Sequence, residues 1–311
     1  MKVEDIHTVL VVGSGNMGQQ IGFQCAVSGL DVVLYDISTE MLEKAMDRMG
    51  KLAKTYMAGG RISQAQAMEA LERIKTETDP EKAGNIADLI SESIPEDPDL
   101  KGKTFAAFNE ICPARTIFTT NTSSLLPSMF AAATGRPDRF AALHFHDTRF
   151  TKIVDIMPHP GTSPETLALI EAFAKKIGQV AIVLKKESNG YVFNAMLMTL
   201  LESAQTLAAK GVASVADVDR SWMGVMHTLV GPFGIMDSIG IDTVYKITDY
   251  WAKKTGSPQQ AANALFLKQY VDRGDLGVKT GRGFYDYPDP DFQKPGFIDG
   301  QASQAAVNLQ G

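Results

Sequence analysis

Six residues, Gly13-Ser14-Gly15-Asn16-Met17-Gly18, constrain this chain more than any others. They stand between two β-rich runs, His7–Val12 (HTVLVV) and Asp31–Tyr35 (DVVLY), and open a helix-compatible stretch that ends at Gly29. Two strands joined through a helix pair in parallel, because a parallel pair needs a long crossover. Such crossovers are right-handed. In the turn itself, the first glycine takes the tight bend and the second admits a pyrophosphate to the backbone. The third lets the helix pack closely on the strand. Asn16, Met17 and Gly18 then begin a helix whose free N–H groups and positive dipole end suit phosphates. The string alone is weak evidence; a strand before it, a helix after it and an acidic residue closing the second strand make it specific. That residue is Asp36. Its carboxylate suits the ribose hydroxyls of an adenosine and repels a 2′-phosphate, and no arginine follows within residues 37–41. NAD is therefore the expected cofactor, not NADP. The bland alternative is a glycine turn of another α/β protein, with Asp36 as a helix cap.

Beyond Tyr35 the pattern makes an excursion. Ser38 and Thr39 are placed to cap a helix running to about Met57, which Gly59-Gly60 breaks. Ser63 with Gln66 forms a capping box for a second helix, predicted to end near Lys75. The pair is expected to project from the sheet as a helical hairpin. Strand patterns return at Ala87–Ile94, Ile117–Thr120, Phe140–Phe145, Ile153–Met157 and Val180–Leu184. Asp97-Pro98 and Ser163-Pro164 mark helix starts between them. After Tyr191 the β-rich runs stop, and helical periodicity fills Tyr191–Lys210, Val215–His227, Thr243–Lys254 and Gln259–Arg273. The composition change predicts two domains: an α/β Rossmann-type domain over residues 1–187, and an all-α domain over 188–311 with an irregular tail from Pro288.

Bulk properties narrow the function classes. A chain of 311 residues is long enough for two domains, and 44% apolar with 21% charged residues is ordinary for a folded protein. The net charge of -6 gives no electrostatic case for nucleic acid. Two cysteines, Cys25 and Cys112, make neither a disulfide framework nor a Cys-rich metal site, and no metal is expected. Cys25 falls on the first helix as a small buried thiol. No run of 18 apolar residues suggests a membrane span, and the N-terminal residues lack the apolar core of a signal peptide. A cytoplasmic location is the resulting expectation.

Further strings carry a resemblance. Asn121-Thr122-Ser123-Ser124-Leu125, Leu143-His144-Phe145 and Gly190-Tyr191-Val192-Phe193-Asn194 occur in order. Gly231-Pro232-Phe233 with Asp237, and Lys279-Thr280-Gly281-Arg282-Gly283-Phe284-Tyr285, follow them. Over about residues 7–287 the chain resembles the 3-hydroxyacyl-CoA dehydrogenases, including the 3-hydroxybutyryl-CoA enzymes. The resemblance implies reversible NAD-dependent oxidation of a short-chain (3S)-3-hydroxyacyl-CoA to the 3-oxoacyl-CoA, in a cleft between the two domains. It also implies a place in fatty acid metabolism and a homodimer formed through the helical domain.

By the same resemblance, His144 is the general base that removes the 3-hydroxyl proton, and Ser123 and Asn194 are polar contacts to substrate. Asn121 and Glu96 fall at the cofactor end; a solvated loop charge is the alternative for Glu96. The family's hairpin contacts part of the CoA, which makes Lys51 and Lys54, sharing one face, candidates for its phosphates, and Arg61 a further one. Solvated surface lysines are the plain alternative. His7, His146, His159 and His227 match no motif and are expected to be structural. The chain also departs from the family. Its histidine is usually followed by Phe-Asn-Pro, whereas here His144-Phe145-His146-Asp147-Thr148-Arg149 stands. Asp155 replaces the glutamate that orients the histidine, with Asp147 as a rival, and Asn194-Ala195 replaces an Asn-Arg pair. These departures leave two other readings open: an NAD-dependent dehydrogenase of a CoA-free hydroxy acid, and an NAD-binding structural or regulatory protein with weakened catalysis.

Overall fold

The computed structural model describes residues 1–300; the end of the tail expected from Pro288 onward, residues 301–311, lies outside the described residues. Chain contacts divide the protein into two compact units, Met1–Phe193 and Asn194–Gly311.

The first unit is built on an eight-stranded sheet: β1 Thr8–Val12, β2 Asp31–Tyr35, β3 Ile74–Glu77, β4 Leu89–Glu92, β5 Ile117–Thr120, β6 Phe140–Phe145, β7 Ile153–Met157 and β8 Val180–Val183. Their order is β3-β2-β1-β4-β5-β6-β7-β8. All neighbours pair in parallel except β6 with β7. The first six strands therefore have the doubly wound order, with the topological switch between β1 and β4 where such sheets bind ligands. The connecting helices are α1 Asn16–Val27, α2 Thr39–Ala58, α3 Gln64–Glu72, α4 Pro80–Gly84, α5 Pro98–Ile111 and α6 Pro164–Lys176. Asp79, Asp97 and Ser163 cap α4, α5 and α6 through their side-chain oxygens, each followed by a proline whose missing N–H costs nothing in a first turn.

α1 is the central crossover. Its residues 18–26 are all buried, so it lacks a polar face. Cys25 is buried there, and burial pushes its thiol up to about 12, which leaves it inert as a nucleophile.

Two expectations need correction. The second helix of the excursion stops at Glu72, and Ile74–Glu77 pairs with β2 as the edge strand β3. The isolated sequence ILE-Lys-Thr-Glu continues a helical pattern; pairing with a neighbour far along the chain overrides it. The hairpin of α2 and α3 does not project. Leu42, Ala45, Met49, Leu52, Ala67 and Ala70 join the core cluster that holds β1, α1 and β2, and Tyr56 meets Phe23 edge-on at 5.5 Å. The first compact unit runs on through Phe193, because residues 188–193 stay with the sheet. Ser188 N–H points at Met157 Sδ (3.2 Å), and the Tyr191 hydroxyl donates to the Thr122 carbonyl (2.5 Å).

The second unit is helical: α7 Phe193–Ala209, whose first residue still belongs to the sheet unit, α8 Val215–Met226, α9 Pro232–Ile239, α10 Ile241–Thr255 and α11 Pro258–Arg273. α9 lies outside the periodic stretches read above, being too short and too uniformly apolar to show a 3.6-residue rhythm. Its core gathers Leu201, Phe233, Met236, Ile241, Val244 and Leu267 with the tail residues Phe292 and Phe297. Over residues 288–300 the backbone is irregular apart from one short 3-10 turn at Asp291–Gln293.

Candidate active site

The glycine turn has the geometry that its pattern predicts. Gly13 has φ +101, and a Cβ there would lie 2.7 Å from the Ser93 carbonyl oxygen. A Cβ on Gly18 would lie 1.9 Å from the Gly13 oxygen, whereas one on Gly15 would meet nothing within 4 Å. The first and third glycines are thus fixed by packing, and the second keeps an open approach to the backbone. Gly15 caps α1 with no side-chain hydrogen bond, so the N–H groups of Asn16, Met17 and Gly18 present the positive helix end. This is a cradle for a pyrophosphate. Asp36 follows β2, its Oδ2 accepting from Ser14 N (2.9 Å) and Ser14 Oγ (2.8 Å), its Oδ1 from Ser38 N (3.1 Å). It therefore ties the end of β2 to the glycine turn and stands beside it, where a ribose carboxylate belongs. The residues fit a dinucleotide.

At the ends of β4 and β5, carboxylates organise the next loop. Glu96 Oε1 accepts from Thr122 Oγ1 (2.6 Å), Ser123 N (2.8 Å) and both Ser124 N and Ser124 Oγ (3.0 Å). Burial would raise its pKa, but these bonds and Lys101 hold it below the usual carboxylate range. Glu96 is thus the anchor of the loop that carries Ser123, whose own side chain is exposed. Asn121 is buried, and its Oδ1 accepts from Phe145 N (2.7 Å), fixing the end of β6. Sequence reading missed the pair beneath them: Lys101 Nζ lies 2.5 Å from Glu92 Oε1, with both side chains 1% exposed. Burial pushes the Glu92 carboxyl up against the pull of Lys101. A lone lysine on a predicted helix carries no sign of such a partner.

His144 sits near the end of β6, buried, directly opposite Asp155 in the antiparallel register with β7. Its Nδ1 lies 3.4 Å from Asp155 Oδ2, and its ring stacks on Tyr191 at 4.6 Å and 15°. Nε2 is left to serve chemistry. The same Asp155 oxygen lies 2.9 Å from His146 Nε2. Burial alone would raise the Asp155 pKa; the hydrogen bonds from His144 and His146 outweigh it and hold the carboxyl below its ordinary value. His146, expected to be structural, is therefore part of the cluster. The available signal was spacing, since residues two apart on a strand share a face. The rival Asp147 pairs with Arg149 and makes no bond to His144 among the described residues.

Other candidates fall elsewhere. His159 bridges the Pro137 carbonyl and Gly161 N–H, and His227 ends α8 in a left-handed conformation. Arg61 donates to the Thr148 carbonyl (2.7 Å) and lies 3.7 Å over the Tyr56 ring, so it fastens the segment after His146 to the hairpin. Tyr56 and Gln20 hold Thr148 from the same side. Lys51 and Lys54 are exposed on α2. Asn194 is the second residue of α7 and belongs to the helical unit.

A doubly wound sheet, a glycine turn with its acidic partner and a buried His–Asp pair at the strand ends define a nicotinamide-dependent dehydrogenase. Comparison with known proteins agrees with this class. Residues 8–188 match the family described as 3-hydroxyacyl-CoA dehydrogenase, NAD binding domain, and residues 190–287 match its C-terminal domain. A Caenorhabditis elegans protein named "Probable 3-hydroxyacyl-CoA dehydrogenase" is 33% identical over 92% of this chain and 97% of its own. A diketoreductase that acts on dicarbonyl compounds superposes with a TM-score of 0.83 at 39% identity, covering 91% of this chain and 99% of its own. The (S)-3-hydroxybutyryl-CoA dehydrogenase of Ralstonia eutropha gives 0.82 at 31%, covering 92% and 100%. The chain belongs to the 3-hydroxyacyl-CoA dehydrogenase family: it is an NAD-dependent oxidoreductase. No helix among the described residues is long and apolar enough to cross a membrane.

Proposed function

We propose that the protein interconverts short-chain (3S)-3-hydroxyacyl-CoA and 3-oxoacyl-CoA with His144 as general base. The buried His144–Asp155 pair carries this reading. Gly13, Gly15, Gly18 and the N–H groups of Asn16 and Met17 hold the pyrophosphate, and Asp36 the ribose. Glu96 and Asn121 shape the cofactor end. Bound NAD supplies the hydride acceptor. In oxidation, His144 Nε2 takes the proton of the 3-hydroxyl while Asp155 stabilises the imidazolium through Nδ1–H; in reduction the same nitrogen returns the proton to the 3-oxygen. Ser123 and Asn194 donate to the substrate oxygens, and Lys51 and Lys54 meet CoA phosphates. The domain division of residues 1–187 and 188–311 assigns cofactor binding to the first and homodimer formation to the second. Cytoplasmic fatty acid metabolism is the setting that we infer.

The test is NADH oxidation with acetoacetyl-CoA, longer 3-oxoacyl-CoAs, free acetoacetate and a free dicarbonyl ester. The last two substrates test a CoA-free reaction, one relative being a diketoreductase. We expect the highest kcat/KM with a short acyl-CoA, and His144→Ala to lower kcat by about a hundred-fold to ten-thousand-fold, the range for general acid–base catalysis. Faster turnover of the free acids, or near-normal turnover by His144→Ala with NADH affinity intact, would overturn the substrate or the base assignment respectively.

A further inference from the structure

The Asp155 carboxylate is used twice. Oδ2 is 2.9 Å from His146 Nε2 and 3.4 Å from His144 Nδ1, and the two imidazoles meet edge-to-face at 4.7 Å and 74°. The first distance is an ordinary hydrogen bond, whereas the second is at the long limit. An aspartate on β7 has a short reach, and its direction is set by the closer partner. We propose that His146 is a positioning residue for the His144 base: it aims the Asp155 carboxylate and, through that shared oxygen, couples its own proton to the activity of His144. This rests on the reading of His144 as general base.

Asp155 is the hydrogen-bond partner of the His146 ring among the described residues. Phe193 meets its ring edge-on at 5.5 Å and brings no polar group to it. Of the groups facing the pair, His144 comes from β6 and Asp155 from β7. Tyr191, in the segment before α7, is stacked on His144, and burial with the nearby carboxylates Glu96, Asp155 and Glu92 keeps its phenol neutral. In the loop after His146, Asp147 and Arg149 are bonded to each other. Among the described residues, His146 is therefore the imidazole that shares the Asp155 oxygen with His144.

The consequence follows from charge. A neutral His146 donates Nε2–H and leaves Asp155 a full anion, free to stabilise the imidazolium that forms on His144. A protonated His146 draws that anion into a charge-assisted bond and adds a second cation beside the first. His144 is then a poorer base.

The experiment is the pH dependence of 3-hydroxybutyryl-CoA oxidation by the full chain and the variants His146→Phe, His146→Gln and His144→Ala, with NADH affinity as the folding control. Nitrogen-15 spectra of labelled histidines follow the imidazoles independently of turnover. We expect the wild-type acid limb of log kcat to be steeper than one proton. His146→Phe should lower kcat about tenfold, the scale for losing a supporting hydrogen bond, with KM unchanged and a one-proton limb. Glutamine can donate to Asp155 without titrating, so His146→Gln should recover most of kcat while keeping the one-proton limb. The spectra should show His144 titrating with a different profile once His146 is Phe. Wild-type kcat and an unaltered acid limb in His146→Phe would overturn the proposal while His144→Ala remains inactive. Turnover by His144→Ala would instead overturn the base assignment, and this inference with it.

Discussion

At position 155 a one-methylene difference from glutamate is absorbed by register. Asp155 stands directly across the antiparallel pair from His144, so a short side chain still reaches Nδ1. The same carboxylate also carries His146. Asp155→Asn should lower kcat by about a hundred-fold, the upper range for a supporting hydrogen-bond partner. Asp147→Asn, which loses only a pairing with Arg149, should stay close to wild type. Steady-state kcat over pH, with NADH affinity as control, checks both; a wild-type profile in Asp155→Asn would remove the carboxylate from the mechanism. Asp36 supports a second residue-scale expectation. Replacing it with serine deletes a charged hydrogen-bond acceptor for the ribose, a loss of about 1.5–3 kcal/mol or roughly tenfold to a hundredfold in NAD Kd. NADP should gain relative to NAD because the repulsion of its 2′-phosphate is gone. A wild-type protein that prefers NADPH would contradict the role. Equilibrium binding of both cofactors measures it.

At the scale of elements, the family strings in the helical unit have a structural use. Asp219 on α8 accepts from Phe233 N (2.8 Å) and Gly234 N (3.0 Å) at the start of α9, and from the Tyr285 hydroxyl (2.9 Å). Asp237 on α9 accepts from Phe284 N, Tyr285 N and the Tyr287 hydroxyl. Gly231 and Gly283 are glycines because a Cβ on either would strike these carboxylates, at 2.5 Å from Asp219 Cγ and 2.1 Å from Asp237 Oδ1. The strings thus hold α9 to the tail through buried anions. Burial pushes the Asp219 carboxyl up to about 6, against the hydrogen bonds that favour the anion. The folded protein therefore binds its proton more tightly than the unfolded chain. Its contribution to stability is complete below the ordinary aspartate pKa and is lost as pH rises from there through about 6. A rise of that size corresponds to about 3 kcal/mol. Asp219→Asn should flatten the pH dependence of the melting temperature across that window while lowering stability overall through the lost acceptor; an unchanged slope would show that Asp219 ionises freely in the fold.

For the molecule as a whole, the proposed homodimer makes a prediction about association. The helical unit exposes Leu207 on α7, Val212 in the turn after it, Val225 and Met226 at the end of α8 and Leu229 beyond it, Leu229 being 90% exposed. Exposed apolar side chains are what an interaction surface requires, and the proposed homodimer would bury these. Val225→Asp with Leu229→Asp should convert dimer to monomer in sedimentation at micromolar concentration. A wild-type protein that sediments as a monomer would leave this surface without the partner named for it. What the sequence by itself determined was whatever depends on near neighbours. The strand–glycine turn–helix unit with Asp36 was legible because each of its steps is a local rule of chain geometry, as were Asp97-Pro98 and Ser163-Pro164, which begin α5 and α6. His144 was legible by its place in a string. The tertiary structure alone decided the rest. Ile74–Glu77 became β3 because β2 lay ready to pair with it. Tyr191 stayed with the sheet because it stacks on a histidine far back in the chain. Lys101 found Glu92, and His146 found Asp155, only when separate strands and helices were brought together. Such contacts join residues remote in sequence, and the free energy that forms them comes from the packing of whole elements, which no local pattern records.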